Sequence, residues 1–423
     1  MIRFEYERLT LANGLRVVLA PDDTTPIVGV NLWYGVGSRN EPEGLTGFAH
    51  LFEHMMFQGS AHVPKNRHFE LVERAGGSLN ASTWFDRTNY YETLPSHHLE
   101  LALWLEADRM GWMLPAMTQE KLDNQRDVVK NERRWRYDNQ PYGDWDERVQ
   151  ALVFPPSHPY HHTVIGSMED ISAASLENVS DFFQTFYVPN NAVLTVCGDF
   201  DRDEALEMIE RNFGEVPAGA PVPDLPGEPE IDPVLGVGIY ERVEARVPLN
   251  RVYVGLRAPR FTDAGFQTAE MAFGVLSLGR SSRLYSRLIR ERKIAKDAAG
   301  FVFPVDTGAA LAVLWVTGLP GVEAEVLEQA VAEELDAMEE VREEEVERAV
   351  AMAETRLLAS VEEIGERADL MSMYEHYFAD PGRIESEIDR MRAVGPREVE
   401  TFAREFLGAQ NRAVLTYVPE EEA

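Results

Sequence analysis

The chain has 423 residues, of which 44% are hydrophobic and 26% charged, and a formal net charge of −32. That length is too great for one ordinary core, so two or more domains are expected, with the composition of a globular protein. The acidity argues against nucleic-acid and anionic-membrane partners, and no apolar run reaches the length of a membrane span.

The start, Met1-Ile2-Arg3-Phe4-Glu5, has no basic segment followed by an apolar one, so the chain as it stands is expected to be cytoplasmic. Gly14–Ala20 and Ile27–Tyr34 read as strands. His50-Leu51-Phe52-Glu53-His54 follows them. Phe48, Leu51, Phe52, Met55 and Met56 recur at helical spacing, which predicts a helix buried along that stripe. On such a helix His50 and His54 stand one turn apart on one face, and Glu53 borders that face. Two imidazoles can then reach one metal ion, with a carboxylate beside the water it would activate. The competing reading is a pair of ordinary surface histidines.

Ser78–Trp84 and Thr88–Thr93 read as a second strand pair, and Leu99–Met113 and Gln119–Trp135 as helices. A catalytic zinc takes three protein ligands, so one more is needed. Leu122, Gln125, Val129 and Glu132 share a helix face, and a carboxylate on a mostly inward ridge needs a partner. Glu132 is therefore a candidate ligand, with Asp108, Glu106 and Glu92 competing. His62, His68, His97 and His98 are expected at the surface, and His158-Pro159-Tyr160-His161-His162 reads as a loop. Cys197, the one cysteine, reads as a small buried side chain in a strand.

Residues 216–235 contain six prolines and read as an extended linker. The expected organisation is an N-terminal metal-binding domain, 1–215, the linker 216–235, and a homologous C-terminal domain, 236–423, without the metal motif. Asn191-Ala192-Val193-Leu194-Thr195 and Asn411-Arg412-Ala413-Val414-Leu415-Thr416 close the two halves after similar helical segments. Aligning Ala192 with Ala413 suggests a tandem duplication. The fold class is α+β, with two related halves, each a mostly antiparallel sheet backed by helices. The acids of Val322–Glu347 read as a solvated helix face.

These residues together resemble the inverzincin metallopeptidases, the family of pitrilysin, insulin-degrading enzyme and mitochondrial processing peptidase. Their signature is the inverted His-x-x-Glu-His order. The likeness covers Gly14–Tyr34, His50–Ser60, Gly76–Thr83, Arg126–Val129 and Pro189–Ala192, and the length resembles the short, dimeric branch. It implies a zinc endopeptidase hydrolysing peptides or unfolded segments inside a chamber between two halves. One Zn2+ per chain would be held by His50, His54 and Glu132, with Glu53 as general base on the zinc-bound water. An extended peptide would add to a sheet edge at Asn80, Ala81 and Ser82.

Two positions depart from the family pattern. Gln125 stands where active members carry a second glutamate, so that carboxylate support is lost. In the C-terminal half Arg290 fits an arginine that grips substrate, but Lys296 or Asp297 stands where a tyrosine belongs. The expected partners are a peptide substrate and a second subunit, preferably a homologous one carrying the intact Arg/Tyr pair. The alternative is a non-catalytic or weakly active structural or peptide-binding subunit of a related complex.

Overall fold

The computed structural model describes residues 3–420. Its strands are β1 (Glu7–Thr10), β2 (Arg16–Pro21), β3 (Ile27–Tyr34), β4 (Ser78–Thr83), β5 (Thr88–Pro95), β6 (Ala192–Gly198), β7 (Ile239–Ala245), β8 (Arg251–Ala258), β9 (Ala295–Val302), β10 (Ala310–Gly318) and β11 (Ala413–Pro419). Its helices are α1 (Phe48–Met55), α2 (Arg67–Arg74), α3 (Leu99–Trp112), α4 (Gln119–Arg133), α5 (Trp145–Val153), α6 (Met168–Ala173), α7 (Leu176–Phe186), α8 (Arg202–Phe213), α9 (Phe266–Ser277), α10 (Ala324–Asp336), α11 (Glu343–Glu362), α12 (Ile364–Phe378), α13 (Arg383–Arg392) and α14 (Pro396–Phe406). No helix among the described residues is long and apolar enough to cross a membrane.

The chain gathers into two compact units that cut across its sequence halves. The first takes the described residues of Met1–Glu132, Val164–Pro226 and Leu358–Ser386; the second takes Arg133–Thr163, Gly227–Leu357 and the described part of Glu387–Ala423.

The first unit holds a sheet in the order β1-β2-β6-β3-β5-β4. Only β2 and β6 run parallel; the other pairs are antiparallel. The β4–β5 hairpin pairs Ser78 with Thr93 and Thr83 with Thr88, and leaves β4 as an edge. One face carries Leu32, Tyr34 and Tyr90 towards α1 and α3. The other carries Val18, Ala20, Trp33, Val193 and Cys197, which pack on Ile364, Ala368 and Met371 of α12. Gly29 permits that helix to approach: a Cβ there would sit 2.8 Å from Ile364 Cγ2 and 3.1 Å from its carbonyl oxygen.

The second unit repeats the plan, in the order β7-β11-β8-β10-β9, with β7 and β11 parallel and the rest antiparallel. Here α5 covers the sheet, Val149 and Val153 closing on Gly255. Each sheet is therefore covered on one face by a helix from the other half of the sequence.

The duplication is visible in detail, one residue away from the Ala192–Ala413 alignment. Asn191 Nδ2 donates to Phe186 O at 2.9 Å and to Gly35 O at 3.4 Å. Asn411 Nδ2 donates to Phe406 O and to Arg257 O, both at 2.8 Å. In each half the asparagine ties the last residue of a helix to the end of the neighbouring strand, so Asn191 corresponds to Asn411 and Ala192 to Arg412. The one-residue difference matters because it would turn every side chain of the strand to the wrong face.

Candidate metal centre

Helix α1 begins at Gly47, whose φ of 83° places it in the left-handed region. A Cβ there would also meet Ile165 O at 2.5 Å. Gly47 has no side chain to cap the helix, and Glu41 takes that role. Its buried carboxylate accepts from Gly47 N at 2.8 Å and Ala49 N at 2.7 Å, at the positive end of the helix dipole. Thr46 donates to Asp170 Oδ2 from its backbone N–H at 2.9 Å and its hydroxyl at 2.6 Å. The apolar stripe Phe48, Leu51, Phe52 and Met55 is buried as the sequence predicts, with Phe52 stacked on Tyr187 at 4.4 Å. Two acids that sequence reasoning missed thus fix where the helix starts. Their signal is weak in sequence, because Glu41 lies outside the helix and Asp170 far along the chain.

From this capped start, His50 and His54 face the same spot. Their ring centroids are 4.9 Å apart. Glu132, near the end of α4, brings Oε2 to 3.7 Å from His50 Nε2 and 3.4 Å from His54 Nε2. One ligand atom from each residue lies within 4.8 Å of the other two. A tetrahedral zinc with bonds of about 2.0–2.1 Å separates its ligand atoms by roughly 3.3–3.5 Å. Two imidazoles and a carboxylate converging at nearly that spacing fit such an ion. Along α4, Leu122, Gln125 and Val129 are buried, which carries Glu132 inward on the same ridge. Gln125 itself donates its amide to Asn124 Oδ1 at 2.9 Å.

Glu53 lies beside His54 and accepts from Thr83 Oγ1 at 2.5 Å. Enclosure raises its carboxyl above the ordinary glutamate range; the Thr83 hydrogen bond, His54 and Arg87 pull it back, and Glu132 pushes it further up. Thr83 ends β4, so α1 and the edge strand meet at this contact. Asn80 is exposed, Ala81 buried and Ser82 partly buried on that strand. Trp84 N donates to Arg87 O at 2.8 Å, so by the alternation of an antiparallel ladder the backbone groups of Ala81 and Thr83 point to the open edge. Arg290 belongs to the second unit, exposed in the helical stretch Tyr285–Glu291.

The competing acids are engaged elsewhere. Arg109, fully buried, forms a two-pronged pair with Glu106, lies 3.8 Å from Glu92 and stacks over Tyr90 at 4.1 Å. Asp108 accepts from the Ser60 hydroxyl and lies 2.5 Å from His62 Nδ1. His68 corrects the surface expectation: it is fully buried against Phe57, and burial, with Arg109 nearby, lowers its imidazole to about 4. In the His158–His162 loop, His158 Nε2 lies 3.1 Å from Pro229 O and His161 Nδ1 2.8 Å from Phe154 O, so both rings serve the backbone.

Residues 16–149 match the family model described as insulinase, peptidase family M16, and residues 173–353 the one described as peptidase M16 inactive domain. Zinc protease PqqE of Helicobacter pylori is 30% identical over 379 residues, covering 88% of this chain and 83% of that protein. An uncharacterized zinc protease of Mycobacterium leprae is 27% identical over 414 residues, covering 96% of this chain and 91% of that protein. The crystal structure of a protease from Helicobacter pylori superposes with a TM-score of 0.91 at 26% identity, over 98% of this chain and 100% of that one. The chain belongs to peptidase family M16.

Proposed function

We propose that the chain is a zinc-dependent endopeptidase that hydrolyses extended peptides or unfolded segments, with Glu53 as general base. The observation that carries this reading is the convergence of His50, His54 and Glu132 beside the enclosed Glu53. His50, His54 and Glu132 would hold the ion. Bound zinc supplies Lewis acidity, polarising a peptide carbonyl and bringing the pKa of water towards neutrality. Glu53 takes a proton from the attacking water and passes it to the leaving amine, while Thr83 holds the carboxylate in one orientation. The open edge of β4 supports docking of the substrate as an added strand, through the backbone of Ala81 and Thr83 with Asn80 and Ser82 alongside.

The test is zinc content together with cleavage of a quenched peptide. One zinc per chain and chelator-sensitive cleavage are expected. A zinc-loaded chain that cleaves nothing, alone or with its co-purifying partner, overturns the reading.

Gln125 favours a second reading, a weakly active peptide-binding subunit, because an amide brings no charge to the centre. Asp297 likewise departs from the family's tyrosine and accepts from Thr317 Oγ1 at 2.8 Å. A homologous subunit that supplies the Arg/Tyr pair would complete what Arg290 alone does not. Cleavage that rises when a co-purified homologue is added back distinguishes this arrangement from a self-sufficient chain.

A further inference from the structure

Strand β7 leaves one edge of the second sheet open, and the duplication shows what an edge at that place accepts. In the first unit β2 runs parallel to β6, and its outer side pairs with β1, antiparallel, Glu7 opposite Leu19 and Thr10 opposite Arg16. In the second unit β7 stands where β2 stands, parallel to β11. It has no counterpart of β1: among the described residues no strand covers its outer side. Burial follows from this difference. Four of the six residues of β2 are buried, and none of the seven of β7. Tyr240, on β7, is 69% exposed, and Val237, just before it, 67%.

The backbone of β7 is divided between its two sides. Ile239 N donates to Arg412 O, and Ala245 O accepts from Glu420 N, so the odd-numbered residues bond to β11. In a parallel ladder the intervening residues turn their N–H and C=O groups the other way. Those residues are Tyr240, Arg242 and Glu244. Their side chains share one face, on which Arg242 pairs with Glu325 of α10. Glu241, on the opposite face, pairs with Arg148 of α5.

An open edge pairs with another strand unless its side chains oppose it. Here the side chains select a partner. When two copies of β7 lie antiparallel about a two-fold axis through Val243, Arg242 stands opposite Glu244 of the other copy, and Glu244 opposite Arg242. Both residues carry the open backbone groups, so these become the hydrogen-bonded pairs, and Val243 meets its own counterpart between them. An axis through Glu241, Arg242 or Glu244 would set a charge against its own copy, which is unfavourable. An axis nearer the start of the strand leaves less of β7 in register.

We propose that β7 is a self-association edge: two copies of the chain join β7 to β7, antiparallel, and the second sheet runs on across the two-fold axis. The antiparallel strand that closes this edge in the first unit is supplied in the second by another molecule. The proposal does not depend on the peptidase reading, and its test involves no turnover.

The full chain is measured by analytical ultracentrifugation over a range of concentrations. Salt is held at about 0.15 M, where the net charge of −32 on each copy is screened beyond about 8 Å. The expected species has twice the mass of the 47.8 kDa chain. Arg242→Glu and Glu244→Arg, made singly, each set like charges opposite one another and should weaken dimerisation at least about tenfold. The double variant Arg242→Glu/Glu244→Arg restores opposite charges and should recover the wild-type dissociation constant, which simple loss of a surface ion pair would not allow. Glu244→Pro removes an N–H that faces away from β11, so the isolated fold keeps its ladder while the dimer loses hydrogen bonds. It should be monomeric with the circular dichroism of the wild type. A monomer at every concentration overturns the proposal, as does a heavier species in which a different polypeptide takes the place of the second copy. So does a dimer that the single reversals leave intact, or a double variant as weak as either single one.

Discussion

Thr83 Oγ1 donates to Glu53 Oε2 at 2.5 Å, and through this contact the edge strand orients the carboxylate beside the candidate metal ligands. Glu53→Gln is expected to keep zinc and to lower kcat by about 10²–10⁴-fold. Thr83→Val keeps the shape but removes the donor. It should lower kcat by roughly tenfold, with zinc content unchanged and KM moved little. Wild-type turnover in Thr83→Val would show that the hydrogen bond does not position the base.

His54→Ala and Glu132→Ala each remove one of three converging candidate ligands. Zinc stoichiometry by elemental analysis should fall well below that of the wild type. Zinc binding to the native state alone stabilises by mass action, so chelation should lower the melting temperature of the wild type and scarcely that of the variants. An unchanged zinc content in Glu132→Ala would remove Glu132 from the ligand set.

Glu41→Gln replaces a buried carboxylate that answers two backbone N–H groups at the head of α1. The amide can offer only one acceptor oxygen and loses the favourable charge at the helix end. A destabilisation of about 1–3 kcal/mol is expected in denaturant titrations. Because α1 carries both histidines, zinc affinity should fall with it.

His158 gives a pH signature that does not involve the metal centre. Tyr160 N donates to its Nδ1 at 3.0 Å, so the folded state needs the neutral ring. Burial lowers its pKa from 6.5 to about 4, partly offset by the Pro229 carbonyl. The unfolded chain thus takes the proton first. This contribution to stability is fully present above pH 6.5 and is lost as the pH falls from there to about 4. His158→Gln should be less stable than wild type at neutral pH, and the gap in melting temperature should narrow as the pH approaches 5. A gap independent of pH would contradict the assignment.

A fragment of residues 1–215 contains the first sheet without α12. Trp33, Val193 and Cys197 then lose their apolar cover. The fragment is expected to bind a hydrophobic dye and to associate, whereas a fusion of 1–226 to 358–386 should do so much less. Equal behaviour of the two would deny α12 that role.

The histidine pair was legible because both residues lie on one helix, where spacing alone fixes which side chains share a face. Glu132 was only half legible. Its ridge could be read from Leu122, Gln125 and Val129, but its meeting with α1 is a tertiary contact, and the family likeness supplied it. Glu41, Asp170 and Thr83 were invisible for the same reason, since each acts across a gap in sequence through only one or two hydrogen bonds. His68 misled because a histidine amid charged neighbours reads as exposed, while the fold carries it inward beside Arg109. Strands β2 to β6 were legible as local runs, whereas β7 to β10 were not singled out. The exchange of α5 and α12 was not legible, because an amphipathic helix records that it is covered on one face and not by what.

That exchange has a consequence for how the molecule is made. The ribosome completes the last strand of the first sheet, β6, long before it reaches α12, so the nascent N-terminal half spends much of synthesis with one apolar face bare. Maturation cannot proceed half by half in order of emergence; the first sheet must wait for the C-terminal half to be nearly complete.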